Sequence, residues 1–346
     1  MGTEVIHDKI NNKLHDVEEV FHKKLGTDMN YRHSYIWQLV VGHAALQISW
    51  FIGLYTLIFY DTKLATTIWA FFIAASSTQG ISLGAHRYYT HKAFKATKSL
   101  KILLFFFQTM AGQNSMFTWV CDHKLHHTYS DTDADPHNSK RGFFFSHMGW
   151  LMVKKHPLLI QKRKQMDISE LLADKMLMFQ YKYFLPLYFI IAVVLPVSVP
   201  MYFWNETLWT SFFVAYCFQY VTSLHFTWTI NSFAHLWGTK PYDKRLQATN
   251  SNISWFLTLA DGWHNFHHAY PWDYRMSEFG NFTSTPAYLL DFFAYLGLAY
   301  DLKTASPNII REHMKKHGDE TGQKMLAKKE NLKTSRNLLE DLLALD

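Results

Sequence analysis

Residues 36–60 read IWQLVVGHAALQISWFIGLYTLIFY and contain no Asp, Glu, Lys or Arg. A helix needs about 20 predominantly apolar residues to cross the hydrocarbon core of a bilayer. This stretch is long enough, and it predicts a membrane-spanning helix over 35–60. Three further uncharged runs predict spans over 64–85, 183–204 and 208–230. The competing interpretation of each run is a buried helix in a large soluble core, which four such runs in closely spaced pairs disfavour.

The basic residues predict how these spans are oriented. Lys63 is the one basic residue in the short connectors within the two pairs, whereas the stretch 86–182 is rich in Lys and Arg. By the positive-inside rule, both termini and the long loops lie in the cytosol. The predicted fold class is an all-α integral membrane protein with four transmembrane helices in two hairpins and a cytosolic helical cap. The other segments are a cytosolic N-terminal segment at 1–34, the two parts of the cap at 86–182 and 231–300, and a charged cytosolic tail at 301–346, expected to be a solvated helix or a mobile end.

Composition argues against several other classes of protein. The 346 residues include two Cys, too few for a disulfide framework or a zinc finger. The formal net charge of +6 suits contact with anionic lipid or a phosphorylated ligand, and no nucleic-acid partner is expected. Residues 1–33 lack the apolar core of a signal peptide. The apolar run 101–120 contains amide side chains, so it predicts one helix in the cytosolic interface rather than a fifth span.

Four clusters of histidine lie close to the ends of the predicted spans. On a helix, positions i, i+3 and i+4 share one face, so each H-x2-H-H cluster presents three imidazoles to one point. Asn231 and His235 lie one turn apart on a helix that continues from the fourth span. His86 and His91 converge only if the helix ends or unwinds between them. The clusters are His86 with His91, then His123 with His126 and His127, then Asn231 with His235, and finally His264 with His267 and His268.

The clusters together offer nine imidazoles and one amide as metal ligands. A structural zinc ion takes four ligands and a catalytic zinc ion three, so nine are too many for one metal. Imidazole binds iron, copper and zinc alike. Two six-coordinate irons with four or five histidines each would use the set, and Asn231 would reach a metal directly or through water. Isolated histidines elsewhere are expected to be ordinary surface or core residues, although His137 and His225 are less clear because they lie near the clusters.

The histidine clusters resemble the histidine boxes of the membrane fatty acyl-CoA desaturases, with the insect and particularly moth enzymes nearest in pattern. His86-x4-His91, His123-x2-His126-His127 and His264-x2-His267-His268 are similar to the three boxes of that family. Asn231-x3-His235 is similar to the segment that supplies a ninth histidine and a water-bridged asparagine. The segments 133–138, 141–150 and 271–275 add further family-specific context.

The resemblance implies two iron ions (Fe2+) bound by the nine histidines, with Asn231 reaching a metal through water. It implies a cap above a four-helix stem, in a multi-pass protein of the endoplasmic reticulum membrane whose active site and termini are cytosolic. Electrons would come from cytochrome b5 and its NADH-dependent reductase, and the other partners would be a fatty acyl-CoA and membrane lipid. The chain has neither a Gly-rich dinucleotide loop nor a haem-attachment motif.

The resemblance also implies residues that bind the substrate. Trp119, Thr227 and Trp228 would line the bend of an apolar acyl tunnel. The expected contacts of the coenzyme A end are Asn114, Asp122, Lys154 and Lys155. Small residues of the second span would set the tunnel depth, with ordinary close helix packing as the alternative; these are Ala70, Ala74, Ala75 and Thr78.

Some positions depart from the family pattern. Cys121 and Lys124 stand where arginines are usual, which puts one phosphate contact of coenzyme A in doubt. Asp261 stands where Glu is usual before the last box, which alters the support of His264. The segment 247–250 does not look like the common Δ9 forms.

The predicted function is an O2-dependent acyl-CoA desaturase that inserts a double bond into a saturated or monounsaturated chain. The segment 247–250 favours a Δ11-type or other specialised regiochemistry, as in pheromone biosynthesis, over plain Δ9 activity. The nearest alternative is a conjugase, acetylenase or hydroxylase on the same di-iron scaffold. A histidine-rich metal transporter is more remote, because the clustered histidines lie outside the predicted spans. An inactive membrane scaffold is disfavoured by the complete set of nine histidines.

Overall fold

The computed structural model describes residues 25–258, 262–277 and 284–343, with only the course of the helix over 332–343. The described residues fall into two compact units. The first unit comprises the residues up to Thr90 together with Lys98–Asn231, and the second comprises His91–Thr97 together with the residues from Ser232 onward. The position of Asp261, and most of the predicted N-terminal segment 1–34, lie outside the described residues.

The first unit is helical throughout its regular structure. Three stretches are π-helical, namely Gly80–Thr90, Phe189–Val194 and Ser211–Phe218. Short 3-10 turns cover Ser139–Arg141 and Gly149–Leu151. The α-helices are Trp37–Phe59, Leu64–Gln79, Lys98–Ala111, Met116–Tyr129, Phe143–His147, Pro157–Gln165, Ser169–Ala173, Lys175–Lys182, Phe184–Tyr188, Leu195–Trp204, Leu208–Thr210 and Gln219–Leu236, the last of which ends in the second unit.

Three of the described helices are long and apolar enough to cross a membrane, namely Trp37–Phe59, Leu64–Thr90 and Phe184–Trp204. The outer surface of the first of them fits a lipid environment, because only Gly53 and Thr56 are buried in the 23-residue helix Trp37–Phe59. A soluble core helix would bury a whole apolar face. The competing interpretation as a soluble core is therefore wrong for this helix.

The fourth predicted span, 208–230, lies within continuous helical structure from Leu208 to Leu236. It is not among the three described helices that are both long and apolar enough to cross a membrane. Several Thr, Ser and Tyr residues, together with Gln219 and His225, lower its mean hydropathy. Two of these polar side chains bond to the helix Trp37–Phe59: Thr222 accepts from Trp50 Nε1 at 2.9 Å, and His225 Nε2 lies 3.0 Å from Gln47 Oε1.

The two short connectors of the first unit are joined to each other. Glu206 is buried, and its carboxylate accepts from the Lys63 backbone N–H at 3.1 Å and from the Thr66 hydroxyl at 2.6 Å. Lys63 Nζ in turn donates to the carbonyls of Trp204 and Asn205. The connectors 61–63 and 205–207 therefore lie at the same end of this unit. Thr207 also caps the next helix by accepting from the Thr210 N–H at 3.1 Å.

The apolar run 101–120 forms two helices, and the prediction of one helix is wrong. The break lies between Lys98–Ala111 and Met116–Tyr129. Gly112 and Asn114 adopt positive φ angles of 63° and 65°, a conformation that glycine and asparagine tolerate best. Ser115 then caps the second helix, because its side chain accepts from the Thr118 N–H at 3.2 Å.

Close backbone contact also positions the first histidine cluster. The helix Leu64–Thr90 passes so near the helix Lys98–Ala111 that a Cβ atom on Gly80 would lie 2.2 Å from the backbone nitrogen of Gln108. Only glycine fits at this crossing. The π-helical stretch begins at Gly80 and runs to Thr90, so the helix changes its winding just before it reaches His86.

The second unit contains a small antiparallel sheet and a helical core. Strand Lys95–Ala96 pairs with strand Ala299–Tyr300. Ile310, Met314 and Leu326 pack against Tyr242 and Phe266, so these parts of the C-terminal tail belong to the core rather than to solvent. The described helices that lie wholly in this unit are Asn252–Thr258, His264–Ala269, Thr285–Tyr295, Pro307–His317 and Glu320–Leu343.

Candidate metal centre

The first histidine cluster lies where a helix ends. His86 is buried in the π-helical turn, and this helix ends at Thr90, one residue before His91. The five-residue spacing of His86 and His91 predicted that the helix ends or unwinds between them if both side chains bind at one site. The two residues fall in different units, His86 in the first and His91 in the second.

The second cluster lies on the helix Met116–Tyr129. The ring centroids of His86 and His123 are 4.6 Å apart, and those of His123 and His127 are also 4.6 Å apart. The nitrogen donors of His86, His123 and His127 lie within 4.8 Å of one another. The first unit therefore assembles three imidazoles that can hold a metal ion.

His126 of the same helix has a buried carboxylate beside it. Its Nδ1 lies 2.9 Å from Asp135 Oδ2, and both side chains are almost wholly buried. Asp135 also accepts from the backbone N–H groups of Asp131 and His137. With Nδ1 donating to the carboxylate, Nε2 of His126 is the nitrogen available to a metal. Sequence reasoning missed Asp135, although the quoted segment 133–138 contains it.

The two groups of this pair shift each other's pKa. Burial by itself would lower the pKa of His126, but the Asp135 carboxylate outweighs it and the pKa is raised. Burial by itself would raise the pKa of Asp135, but the neighbouring His126 and His137 lower it. Asp135 is therefore a carboxylate at neutral pH, as a group that orients a metal-binding imidazole must be.

The second unit brings together the remaining histidines. His264 Nε2 lies 3.0 Å from His235 Nε2 and 3.1 Å from His268 Nε2, and all three side chains are buried. The ring centroids of His91 and His267 are 4.8 Å apart. Asn231 lies one turn before His235 on the helix Gln219–Leu236, as the sequence predicts.

An asparagine inside the third box fixes that box to the neighbouring loop. Asn265 is fully buried, and its carbonyl oxygen accepts from the N–H groups of Tyr242 and Asp243 at 2.9 and 3.1 Å. Its amide nitrogen donates to the carbonyls of Asp243 and Ala248, both at 2.9 Å. All four hydrogen-bonding positions of this side-chain amide, two acceptor and two donor, are thus directed at the loop 242–248. Sequence reasoning did not single out Asn265.

Asp243 extends this support to the C-terminal tail. Its carboxylate lies 3.0 Å from His313 Nε2 and 2.8 Å from Arg245 Nη2. Burial by itself would raise the pKa of Asp243, but His313 and Arg245 lower it strongly. The helix Pro307–His317 is therefore bonded to the loop that holds the third histidine box.

A cavity of about 230 Å³ lies in the first unit beside the second histidine cluster, and His123 is part of its wall. Gln113, in the same wall, donates to the Thr227 hydroxyl at 2.8 Å, and Arg163 donates to Asp122 at 2.6 Å. Neither Gln113 nor Arg163 was predicted from the sequence. The predicted residues in the wall are Asn114, Trp119, Asp122, Thr227, Trp228 and Asn231.

The other predicted contacts lie elsewhere. Lys154 is exposed, and Lys155 lies with its Nζ 4.3 Å from the ring centre of Trp150. Both lysines line a separate small pocket of the first unit together with Asp133 and Arg141. Burial lowers the pKa of Lys155. Of the small residues of the second span, Ala75 is exposed, and the four are not part of the cavity wall.

Comparisons with known proteins agree with the chemistry of these donors. A family model described as fatty acid desaturase matches residues 61–301. The chain is 45% identical over 291 residues to the (11Z)-hexadec-11-enoyl-CoA conjugase of Bombyx mori, covering 84% of this chain and 88% of that protein. It is 44% identical over 292 residues to the acyl-CoA Delta-9 desaturase of Acheta domesticus, covering 84% and 80%. It is 43% identical over 283 residues to an acyl-CoA Delta(11) desaturase of Spodoptera littoralis, covering 82% and 83%.

The matched region contains all four histidine clusters, and the relatives align over most of both chains. Family membership accounts for a histidine-rich, cysteine-poor donor set on a helical protein with apolar helices of spanning length. The chain belongs to the fatty acid desaturase family and is an oxidoreductase.

Proposed function

We propose that this protein is a fatty acyl-CoA desaturase that introduces a double bond into an acyl chain with O2 as the oxidant. The observations that carry the proposal are the histidine groups assembled within each unit, most of them buried, and the cavity of the first unit whose wall includes His123. The first unit contributes four histidines of the predicted set and the second contributes five. The names of the relatives, which include acyl-CoA desaturases and a conjugase, support the same substrate class.

The donor set fits two iron ions. Nine neutral imidazoles exceed what one metal takes, and imidazole is a suitable ligand for iron. The residues that would hold the irons are His86, His91, His123, His126, His127, His235, His264, His267 and His268, with Asn231 acting through water. When bound, the irons supply the activation of O2 that removal of hydrogen from an unactivated methylene group requires. The overall reaction converts –CH2–CH2–, O2, two electrons and two protons into –CH=CH– and two molecules of water.

The protein's own residues orient and shield these reactants. Asp135 holds His126 in one tautomer, since an ionised carboxylate can only accept and the facing Nδ1 must therefore carry the hydrogen. Trp119 and Trp228 provide apolar walls in the cavity, where an acyl chain would displace water. The bond from Gln113 to Thr227 joins two sides of this wall. Exclusion of water protects the reacting carbon atoms from side reactions.

The polar end of the substrate would lie at Asn114 and Asp122. Asn114 is exposed at the rim of the cavity, and Asp122 is paired with Arg163. Lys154 and Lys155 would act further out, on the phosphate groups of coenzyme A. Arg163, which is bonded to Asp122, is a basic group of the kind that suits the polyanionic end of such a substrate.

The membrane arrangement proposed is four spans, 35–60, 64–85, 183–204 and 208–230, with the residues 86–182 and 231–300 forming a cytosolic cap and 301–346 a cytosolic tail. The joined connectors 61–63 and 205–207 support two hairpins that turn at the same end of the first unit. The distribution of basic residues supports cytosolic termini. The endoplasmic reticulum is the proposed membrane, and cytochrome b5 with its NADH-dependent reductase the proposed source of electrons.

A conjugase is the second candidate function, because the relative from Bombyx mori that bears this name is 45% identical. The relatives also include enzymes named for Δ9, Δ11 and Δ12 desaturation. The proposed reaction therefore includes a specialised regiochemistry, and the same two irons would serve an acetylenase or a hydroxylase.

The test is expression in yeast that lacks its own acyl-CoA desaturase. Cells are fed saturated acids from C12 to C18 and separately a monounsaturated acid, and new products are located by mass spectrometry. We expect a new alkene from the native chain and none from His126→Ala. A conjugated diene formed from the monounsaturated acid would establish the conjugase instead. Purified protein that binds no iron would contradict both candidates.

A further inference from the structure

The indole of Trp228 is surrounded by three imidazoles in the first unit. Its ring centroid lies 5.1 Å from that of His225, 5.7 Å from that of His147 and 6.3 Å from that of His43. Trp228 is only 4% exposed, and it forms part of the cavity wall. His147 and His225 are outside the nine proposed iron ligands. These two imidazoles and the indole form a cluster that the proposed metal binding does not use, with His147 and Trp228 buried and His225 half-buried.

Hydrogen bonds connect this cluster into a chain across three helices. His147 Nε2 lies 3.0 Å from His225 Nδ1, and His225 Nε2 lies 3.0 Å from the side-chain amide of Gln47. His147 also has a hydrogen bond with the backbone of Trp228. The chain thus runs from the helix Trp37–Phe59, through His225 on the helix Gln219–Leu236 and His147 on Phe143–His147, back to Trp228.

The protonation of His147 gives this chain a direction. Burial lowers the pKa of His147 to about 4, so the ring is neutral at physiological pH and has one donor and one acceptor. Its bond with the Trp228 backbone favours the protonated ring, so here the ring donates and the Trp228 carbonyl accepts. Nε2 of His147 must then accept from His225. The remaining nitrogen of His225 faces Gln47 Oε1, and turning that amide by 180° places its NH2 there as the donor that this nitrogen requires.

We propose that Gln47, His225 and His147 are positioning residues that fix the indole of Trp228 in the cavity wall and thereby set which carbon atoms of the acyl chain are oxidised. This inference rests on the proposed function. A tryptophan held by stacking alone can tilt within its pocket, whereas bonds at both neighbouring imidazoles and at its own backbone hold one orientation. Because an acyl chain lies against this ring, a tilt shifts the chain along its path.

The test compares products from mixtures of C14 and C16 acyl substrates in the yeast assay. His147→Phe and His225→Phe keep an aromatic ring but break the row of hydrogen bonds. We expect each to change the ratio of products by about fivefold, because the net contribution of one hydrogen bond corresponds to a factor of about that size. The change includes the ratio of double-bond positions and the ratio of chain lengths. His147→Gln keeps a polar group near Nε2 and should return the ratios toward those of the native chain.

Thr222→Val is the matched control. It removes a hydrogen bond, from Trp50, between the same two helices that Gln47 and His225 join, but it leaves the Trp228 cluster intact. We expect lower protein abundance at most and unchanged product ratios. If His225→Phe does not accumulate, His147→Phe and Gln47→Leu break the chain at its other members.

Ratios between products do not depend on the amount of enzyme, so partial loss of protein leaves the test readable. Unchanged ratios in the chain-breaking variants, or an equal change in Thr222→Val, would overturn the inference. Both outcomes differ from a failure of the proposed function, in which the native chain itself yields no oxidised acyl product.

Discussion

The two H-x2-H-H clusters have identical spacing but opposite kinds of support. In the first unit, His123, His126 and His127 lie on the helix Met116–Tyr129, which has 14 residues and a serine cap. In the second unit, the corresponding helix His264–Ala269 has six residues and no side-chain cap. A six-residue helix is not stable by itself. The second cluster therefore depends on bonds to a distant loop, whereas the first depends on its own helix and one carboxylate.

This difference teaches that ligand spacing and ligand support are separate properties. A motif shows which face of a helix carries the imidazoles. It does not show what keeps them there, because Asp135 and Asn265 act through tertiary contacts that differ between the two units. Substitutions at these supporting residues should therefore separate the two clusters.

The largest effect is expected from Asn265→Ala. This change leaves the buried N–H groups of Tyr242 and Asp243 without their acceptor, at about 1–3 kcal/mol each, and removes two further bonds. We expect a loss of several kcal/mol in the free energy of unfolding and a loss of bound iron, measured by thermal unfolding and metal analysis in detergent. Asn138→Ala in the first unit, where the buried amide makes bonds to Lys140 and Thr27, is the comparison and should lose less. Equal losses would contradict the special dependence of the second cluster.

Asp135→Asn should have the next largest effect. The amide can still accept from His126 Nδ1 but lacks the charge that stabilises and orients the imidazole. Removal of such a supporting group typically lowers metal affinity by about 10–100-fold. The measurement is iron content after dialysis against a graded chelator series. Asp133→Asn, which removes a neighbouring carboxylate bonded to Arg141 instead, should keep the iron affinity of the native chain.

Acid sensitivity should reveal the contribution of His147, a member of the cluster around Trp228. The pKa of His147 falls from 6.5 in the unfolded chain to about 4 because the ring is buried. Between these values the unfolded chain binds a proton that the folded chain does not, so stability falls as pH drops from 6.5 to about 4. Melting temperatures measured from pH 7.5 to 4.5 should show this slope. The variant His147→Phe should be less stable at pH 7.5, but its melting temperature should depend less steeply on pH. Burial also lowers the pKa of His33 and His156, so part of the slope should persist. Identical pH dependence of the melting temperature in the native chain and in His147→Phe would mean that His147 does not contribute to acid sensitivity.

The smallest effect is expected from Ser115→Ala. The serine hydroxyl caps the helix that carries the second cluster, and loss of such a cap typically costs about 1 kcal/mol. Thermal unfolding should show a small decrease, with iron content and product ratios unchanged, because Asp135 still orients His126. Loss of iron in this variant would mean that the helix end, rather than the carboxylate, supports the cluster.

The grouping of the histidines could be predicted from local sequence. The H-x2-H-H spacing places imidazoles on one helical face, and the structure has helices at both clusters. Family membership and the predicted enzyme class were confirmed, because the boxes are local motifs. Three of the predicted spans coincide with apolar helices of sufficient length, because length and composition are also local properties. The break at 112–115 was missed because it depends on backbone angles at Gly112 and Asn114 within an otherwise apolar run.

The sequence by itself determined the histidine clusters, the apolar helices and the class of reaction, since each depends on residue types within a few turns of the chain. The tertiary structure decided which groups support those ligands and which side chains share a cavity. Asp135 reaches His126 only through a turn at 131–135, and Gln47 meets His225 across 178 positions of sequence. Hydrogen bonds between such distant residues have no periodic signature, because their geometry is set by how the helices pack rather than by spacing along one of them.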